Sequence, residues 1–132
     1  MTPTAGAPHV LVVEDDRVVA YVVRRALEGV GCRVEVCEDG LLARALVAGR
    51  SFDLVILDHH LPGMLGMELL SEWRRDGMTW PVIMLTGLAT EDRVVDAFEL
   101  GVAELIAKPF SVAELQAKVR AELRRSLGHL PG

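Results

Sequence analysis

No stretch of this sequence is apolar for long enough to span a membrane, and Met1 to Pro8 has neither the basic start nor the apolar middle of a secretion signal. Those eight residues are Thr/Pro/Ala-rich and read as a disordered tail. Cysteine is scarce: Cys32 and Cys37 stand at opposite ends of one expected strand, too far apart along an extended chain to bridge, and without C-x-x-C spacing. Reduced thiols and a cytoplasmic location are the expectation. Positive charge is also short, with 14 Lys and Arg against 19 Asp and Glu and a net charge of -5. The isoelectric point near 5.3 argues against this domain itself gripping nucleic acid through its phosphates.

What is present is apolar. The chain has 132 residues, 51% of them hydrophobic and 25% charged, and a mean hydropathy of +0.31. That is the size of one domain, with much of its apolar content in buried strands. Five apolar runs recur, at His9 to Val13, Cys32 to Cys37, Leu54 to Leu57, Val82 to Leu85 and Glu104 to Ala107. Continuous apolar runs suit strands buried on both faces of a parallel sheet.

Helical spacing fills the gaps. From Asp16, the positions Val18, Val19, Val22, Val23, Ala26, Leu27 and Val30 hold one face, and Gly29 and Gly31 offer a stop. A second helix starts near Asp39, is expected to bury Leu41, Leu42, Ala45 and Leu46, and ends at Gly49. A third runs from about Gly66 to Arg75 with Met67, Leu70 and Trp73 inward. Thr90 caps a short fourth helix with Val94, Val95 and Phe98 inward, ended by Gly101. The last opens on the capping box Ser111-x-x-Glu114 and carries Val112, Leu115, Val119, Leu123 and Leu127 on one stripe.

Five strands alternating with five helices, joined by right-handed crossovers, give an α/β fold: a doubly wound five-stranded parallel sheet with helices on both faces. Of the two competing strand orders, 2-1-3-4-5 suits a chain too short for six strands, a flavodoxin-like arrangement. The domain is expected over residues 9–127, with 128–132 a tail or the start of a linker.

In that order the residues just past the strand ends share one rim: Glu14 and Asp15 after the first strand, Asp58 after the third, Thr86 after the fourth and Lys108 after the fifth. A pair of carboxylates in close contact repels by about 4 kcal/mol at an effective dielectric near 20. One ammonium and one divalent cation would balance three of them, and hard oxygen ligands favour Mg²⁺. Without the ion, one carboxylate is expected to titrate high. A carboxylate held in this way can attack phosphorus and become an aspartyl phosphate. Asp16 reads as a helix cap.

The segments VLVVEDD (Val10 to Asp16), LVILDHHLPGM (Leu54 to Met64), VIMLTG (Val82 to Gly87) and LIAKPF (Leu105 to Phe110) together resemble the receiver domain of two-component response regulators. The resemblance covers about Pro8 to Leu127. It implies that Asp58 is the phosphoacceptor, served by a histidine kinase or a histidine phosphotransfer protein. It further implies that Asp15, the Asp58 carboxylate and the His60 backbone carbonyl ligate Mg²⁺, with Glu14 acting through water. Thr86 and Lys108 would be the switch hydroxyl and the phosphoryl-binding lysine, and Lys108-Pro109 would be a cis peptide. Phosphorylation would then switch the surface of the fourth helix, fifth strand and fifth helix, where Arg93, Asp96, Glu114 and Lys118 could support a homodimer.

This sequence departs from the family pattern in two places. Leu105 stands where an aromatic residue is usual, so the readout surface differs. Leu65 replaces the usual acid before Gly66, and the third helix is expected to lose an N-cap worth roughly 0.5 to 2 kcal/mol. His60 and Leu88 hold the positions that set phosphoryl lifetime, and the His60 imidazole either lies over the acyl phosphate or is a solvated loop side chain. A transition-metal site at His59 and His60 is rejected, because adjacent histidines point apart and nothing completes the shell. Three other functions compete. An aspartyl-phosphate phosphatase would want a D-x-D pair, a dinucleotide site would want a Gly-rich first turn, and a degenerate receiver used only for binding or dimerisation would lack the complete acid set.

Overall fold

The computed structural model describes residues 6–87 and 89–128. The outer parts of the two expected tails, residues 1–5 and 129–132, lie outside the described residues, as does Leu88. The strands are β1 (His9–Val13), β2 (Arg33–Cys37), β3 (Leu54–Asp58), β4 (Val82–Thr86) and β5 (Glu104–Ala107). The helices are α1 (Arg17–Glu28), α2 (Gly40–Leu46), α3 (Gly66–Arg75), α4 (Glu91–Glu99) and α5 (Val112–Leu127). All neighbouring strands are parallel and the order is β2-β1-β3-β4-β5, as the alternation of runs and helical segments implies.

Strand periodicity divides the core in two, because successive side chains leave opposite faces of the sheet. Leu11, Val13, Val55, Leu57, Val82 and Met84 enter one layer with Leu69, Leu70 and Trp73 of α3. Val10, Val12, Leu54, Ile56, Ile83 and Leu85 enter the other with Val23 and Leu27 of α1 and Leu115, Val119 and Leu123 of α5. Trp73 and Trp80 meet edge to face at 5.8 Å in the first layer, as core anchors. Cys32 and Cys37 are free and buried. Packing begins ahead of β1: Ala7 is buried, and the Pro8 carbonyl accepts a hydrogen bond from the Arg33 N–H at 2.8 Å.

Four helices start on the side chains the sequence offers. Asp16 accepts from Val18 N and Val19 N, Asp39 from Leu42 N, Thr90 from Arg93 N and Ser111 from Glu114 N. Each satisfies a first-turn donor that has no partner inside the helix.

Several expected inward faces are corrected. In α1, Val18 is 72% exposed, and Ala20 is buried in its place. In α2, Leu41 and Leu42 are exposed, as is Ala45, while Gly40, Ala43 and the C-cap residue Val47 face the core. The cause is close approach: a Cβ on Gly40 would lie 3.1 Å from the Met64 Cβ, so the helix seats on its small side chains and turns the leucines out. In α4, Val95 and Phe98 are exposed and Ala97 is buried. The α5 stripe holds in its middle, while Val112 and Leu127 at its ends are exposed. Among the described residues no helix is long and apolar enough to cross a membrane.

Candidate functional site

The C-terminal ends of the strands hold the site. Beyond β1, the Glu14 N–H donates to the Cys37 carbonyl at 3.0 Å, extending the ladder one residue and carrying the Glu14 side chain into the protein, where it is 1% exposed. Asp15 then turns outward and Asp16 begins α1. Asp58 and Thr86 are the last residues of β3 and β4, and both are buried. Asp58 pairs in register with Leu85, so Thr86 lies one residue further along the adjacent strand. Lys108 follows β5, its N–H donates to the Thr86 carbonyl at 2.8 Å, and its bond to Pro109 is cis.

These residues converge. The Lys108 Nζ lies 3.2 Å from Glu14 Oε1 and 3.2 Å from Asp58 Oδ1. One carboxylate oxygen from each of Glu14, Asp15 and Asp58 falls within a cluster no wider than 4.8 Å. Burial, then the hydrogen bond to Asp58 and its charge, raise the Glu14 pKa to about 8, although Lys108 pulls the other way. Burial also works against the Lys108 ammonium, but Glu14 and Asp58 outweigh it and hold its pKa above the ordinary lysine value.

The cluster fits a divalent cation. All of its donors are hard oxygens, and Glu14, held above the usual carboxylate range by burial and by the neighbouring Asp58, is a group whose ionised form an added cation would stabilise. That is the high-titrating carboxylate the sequence implied, and it is Glu14.

The loop after Asp58 is tightly closed. The His60 N–H donates to Asp58 Oδ1 at 3.3 Å, so His60 meets the site through its backbone, while its side chain is exposed. The Gly66 N–H donates to the His59 carbonyl at 2.8 Å, and a Cβ on Gly66 would stand 2.5 Å from the Asp58 carbonyl oxygen. Only glycine permits that approach. Leu65 gives α3 no side-chain cap, as its sequence implied, and Glu68 bonds back to the Leu65 N–H at 3.1 Å.

His59, read in the sequence only as a rejected metal ligand, is 2% exposed, and its Nδ1 accepts from the Met67 N–H at 3.3 Å. Burial, with Arg93 and His60 adding to it, lowers its pKa to about 4, so the ring is neutral. The sequence carries only a partial signal of this, an apolar Leu65 at the helix start with a histidine in the same loop, and nothing in it says that the two ends of the loop meet. Leu105 is half-buried and packs against the first core layer. A groove of about 410 Å³ is lined by Lys108 itself with Val18, Val19, Val22, Pro109 and Phe110.

The response regulator receiver domain model matches residues 10–120. The transcriptional regulatory protein TctD of Salmonella typhimurium is 36% identical over 122 residues, which are 92% of this chain and 54% of that protein. The phosphate regulon transcriptional regulatory protein PhoB of Pseudomonas aeruginosa is 38% identical over 119 residues, 89% of this chain and 52% of that protein. This chain therefore spans about half the length of these curated relatives. Among solved structures, the receiver domain of the Francisella response regulator 1452 superposes with a TM-score of 0.85 at 30% identity, covering 89% of this chain and 98% of that one. The BeF3-activated DrrB receiver domain gives 0.80 at 29% identity, covering 90% and 99%.

Proposed function

This chain belongs to the response regulator receiver domain family, and on that premise we propose that Asp58 accepts a phosphoryl group from a phosphohistidine on a histidine kinase or phosphotransfer protein. The observation that carries the reading is the Lys108 ammonium at 3.2 Å from both Glu14 and Asp58. It joins the ends of β1, β3 and β5 into one cationic and acidic rim. An Asp58 oxygen attacks phosphorus, the P–N bond of the donor breaks, and the imidazole leaves with that electron pair. Asp58 exchanges its own charge for about two charges on the phosphoryl group. Lys108 binds the phosphoryl oxygens, and the Thr86 hydroxyl turns toward them. Such transfers rest on positioning and charge stabilisation, and this set supplies both.

Mg²⁺ would be held by Asp15, the Asp58 carboxylate and the His60 carbonyl, with Glu14 acting through water. When bound it would supply positive charge that favours the ionised form of Glu14 beside Asp58. The domain acts as a signalling switch rather than as an enzyme on a separate substrate. Its output is a change in the surface of α4, β5 and α5, where Val95 and Phe98 are exposed and Lys118 pairs with Glu114 and Glu104. That surface is proposed to serve a partner or a second copy of the chain. Relatives named as transcriptional regulators suggest that any DNA contact belongs to another part of the protein. The buried free thiols of Cys32 and Cys37 accord with a cytoplasmic setting.

The test is incubation with Mg²⁺ and acetyl phosphate, followed by intact mass and oligomeric state. The parent should gain one phosphoryl group and Asp58→Asn none. A parent that stays unmodified, or a variant that is modified equally, overturns the reading.

A further inference from the structure

We infer that His59 is a positioning residue whose imidazole replaces the missing cap of α3 and thereby holds the loop that orients the Asp58 carboxylate. A helix start leaves its first backbone N–H groups without partners inside the helix, and the residue before it ordinarily accepts from one of them. The Leu65 side chain has no atom that can accept. His59 satisfies two of these donors. Its carbonyl takes the Gly66 N–H at 2.8 Å, and its Nδ1 takes the Met67 N–H at 3.3 Å. Accepting at Nδ1 fixes the tautomer, with the proton on Nε2.

Contrary to the expectation that adjacent histidines point apart, this ring meets the His60 ring edge to face, with centroids 5.0 Å apart and planes at 78°, and the His60 backbone N–H in turn donates to Asp58 Oδ1. A continuous path therefore runs from the first turn of α3, through the buried imidazole and His60, to the carboxylate. His59 is 2% exposed, so its ring is held on all sides. Gly66 allows the arrangement by bringing the helix start against the Asp58 and His59 backbone, where any Cβ would collide at 2.5 and 2.8 Å. A carboxylate so fixed needs less reorientation at the moment of attack.

For its kinetic arm the inference rests on Asp58 being the phosphoacceptor; its structural arm does not. The experiment compares the parent, His59→Leu, His59→Asn and the double variant His59→Leu/Leu65→Asp. Two quantities are read: hydrogen exchange at the Met67 amide, and the initial rate of Asp58 phosphorylation by acetyl phosphate with Mg²⁺. Asparagine places its Oδ1 where Nδ1 stands and should keep both quantities within about twofold of the parent, since a side-chain amide oxygen caps as well as any. Leucine should speed Met67 exchange by about fivefold, the factor that loss of an ordinary cap carries, and slow phosphorylation several-fold. Adding Leu65→Asp supplies a conventional cap and should restore both.

Unchanged Met67 exchange in His59→Leu overturns the inference. So does a double variant that recovers slow exchange while phosphorylation stays slow, because His59 would then act on the chemistry directly. If His59→Leu alone does not fold, the double variant must, and its failure to fold also overturns the inference. A parent that is never phosphorylated refutes the proposed function and leaves Met67 exchange to decide the role of His59.

Discussion

Glu14 and Lys108, 94 positions apart in the chain, meet at 3.2 Å with the Glu14 side chain almost wholly buried. In the sheet β3 and β4 lie between β1 and β5, so this contact spans the ends of two intervening strands. It ties the two sides of the rim together electrostatically.

Removing the ammonium takes away the cation 3.2 Å from Asp58 and one donor to an incoming phosphoryl group. Lys108→Ala should keep its far-UV circular dichroism yet be phosphorylated by acetyl phosphate roughly 10²-fold more slowly, as when one charge-stabilising donor is deleted from a transfer site. A rate within threefold of the parent's would refute the assigned role.

The ion-free protein should lose stability as the pH rises from 6.5 to 8.5. Glu14 titrates near 4.5 in the unfolded chain and near 8 in the folded one, so its contribution is complete below 4.5 and is lost as the pH climbs through 8. His59 works in the other direction, since its pKa falls from 6.5 to about 4 and its contribution is complete only above 6.5. Of these two groups, only Glu14 acts in the upper window. Thermal scans in EDTA should show Tm falling there, Glu14→Gln should flatten the slope, and Mg²⁺ should raise Tm more at pH 8.5 than at pH 6.5. An ion-free Tm that rises across the window contradicts this.

Gly66→Ala should cost about 1–3 kcal/mol, the usual penalty for forcing atoms into a packed site, because its Cβ meets backbone rather than a movable side chain. Gly87→Ala, whose Cβ would meet nothing within 4 Å, should stay within about 0.5 kcal/mol of the parent. Urea unfolding midpoints for the pair provide the check, and equal midpoints would count against the close approach of α3 to Asp58.

The outward turn of α2 makes its own prediction. Leu42→Gln, at a side chain 58% exposed, should move the urea midpoint by no more than about 0.5 kcal/mol, whereas Leu69→Ala in the core should cost about 2–5 kcal/mol. A large loss from Leu42→Gln would restore the inward face expected from its spacing.

Although β2 alternates Arg33 and Glu35 with Val34 and Val36, and the strand order came from a chain too short for six strands, the central strands were legible because Val10 to Val13, Leu54 to Leu57 and Val82 to Leu85 are apolar runs without polar alternation, bounded by turn residues. The rim was legible for the same reason: Glu14, Asp15, Asp58, Thr86 and Lys108 each follow such a run. Helix faces were less legible. Leu41, Leu42, Val95 and Phe98 have helical spacing and high hydrophobicity, but spacing does not say whether the helix seats on its large or its small side chains. Gly40 against Met64 decides that for α2, and a contact between residues so far apart leaves no local mark. His59 was hidden differently. Its task follows from what Leu65 cannot do, which is visible only once the two are seen across one closed loop.

The shallow seat of α4 sets its dynamics apart. With Ala97 as its buried residue, lifting this helix would wet few apolar atoms. Its amides would then exchange through subglobal openings almost insensitive to denaturant, while those around Leu115 and Leu123 would wait for the whole domain to melt.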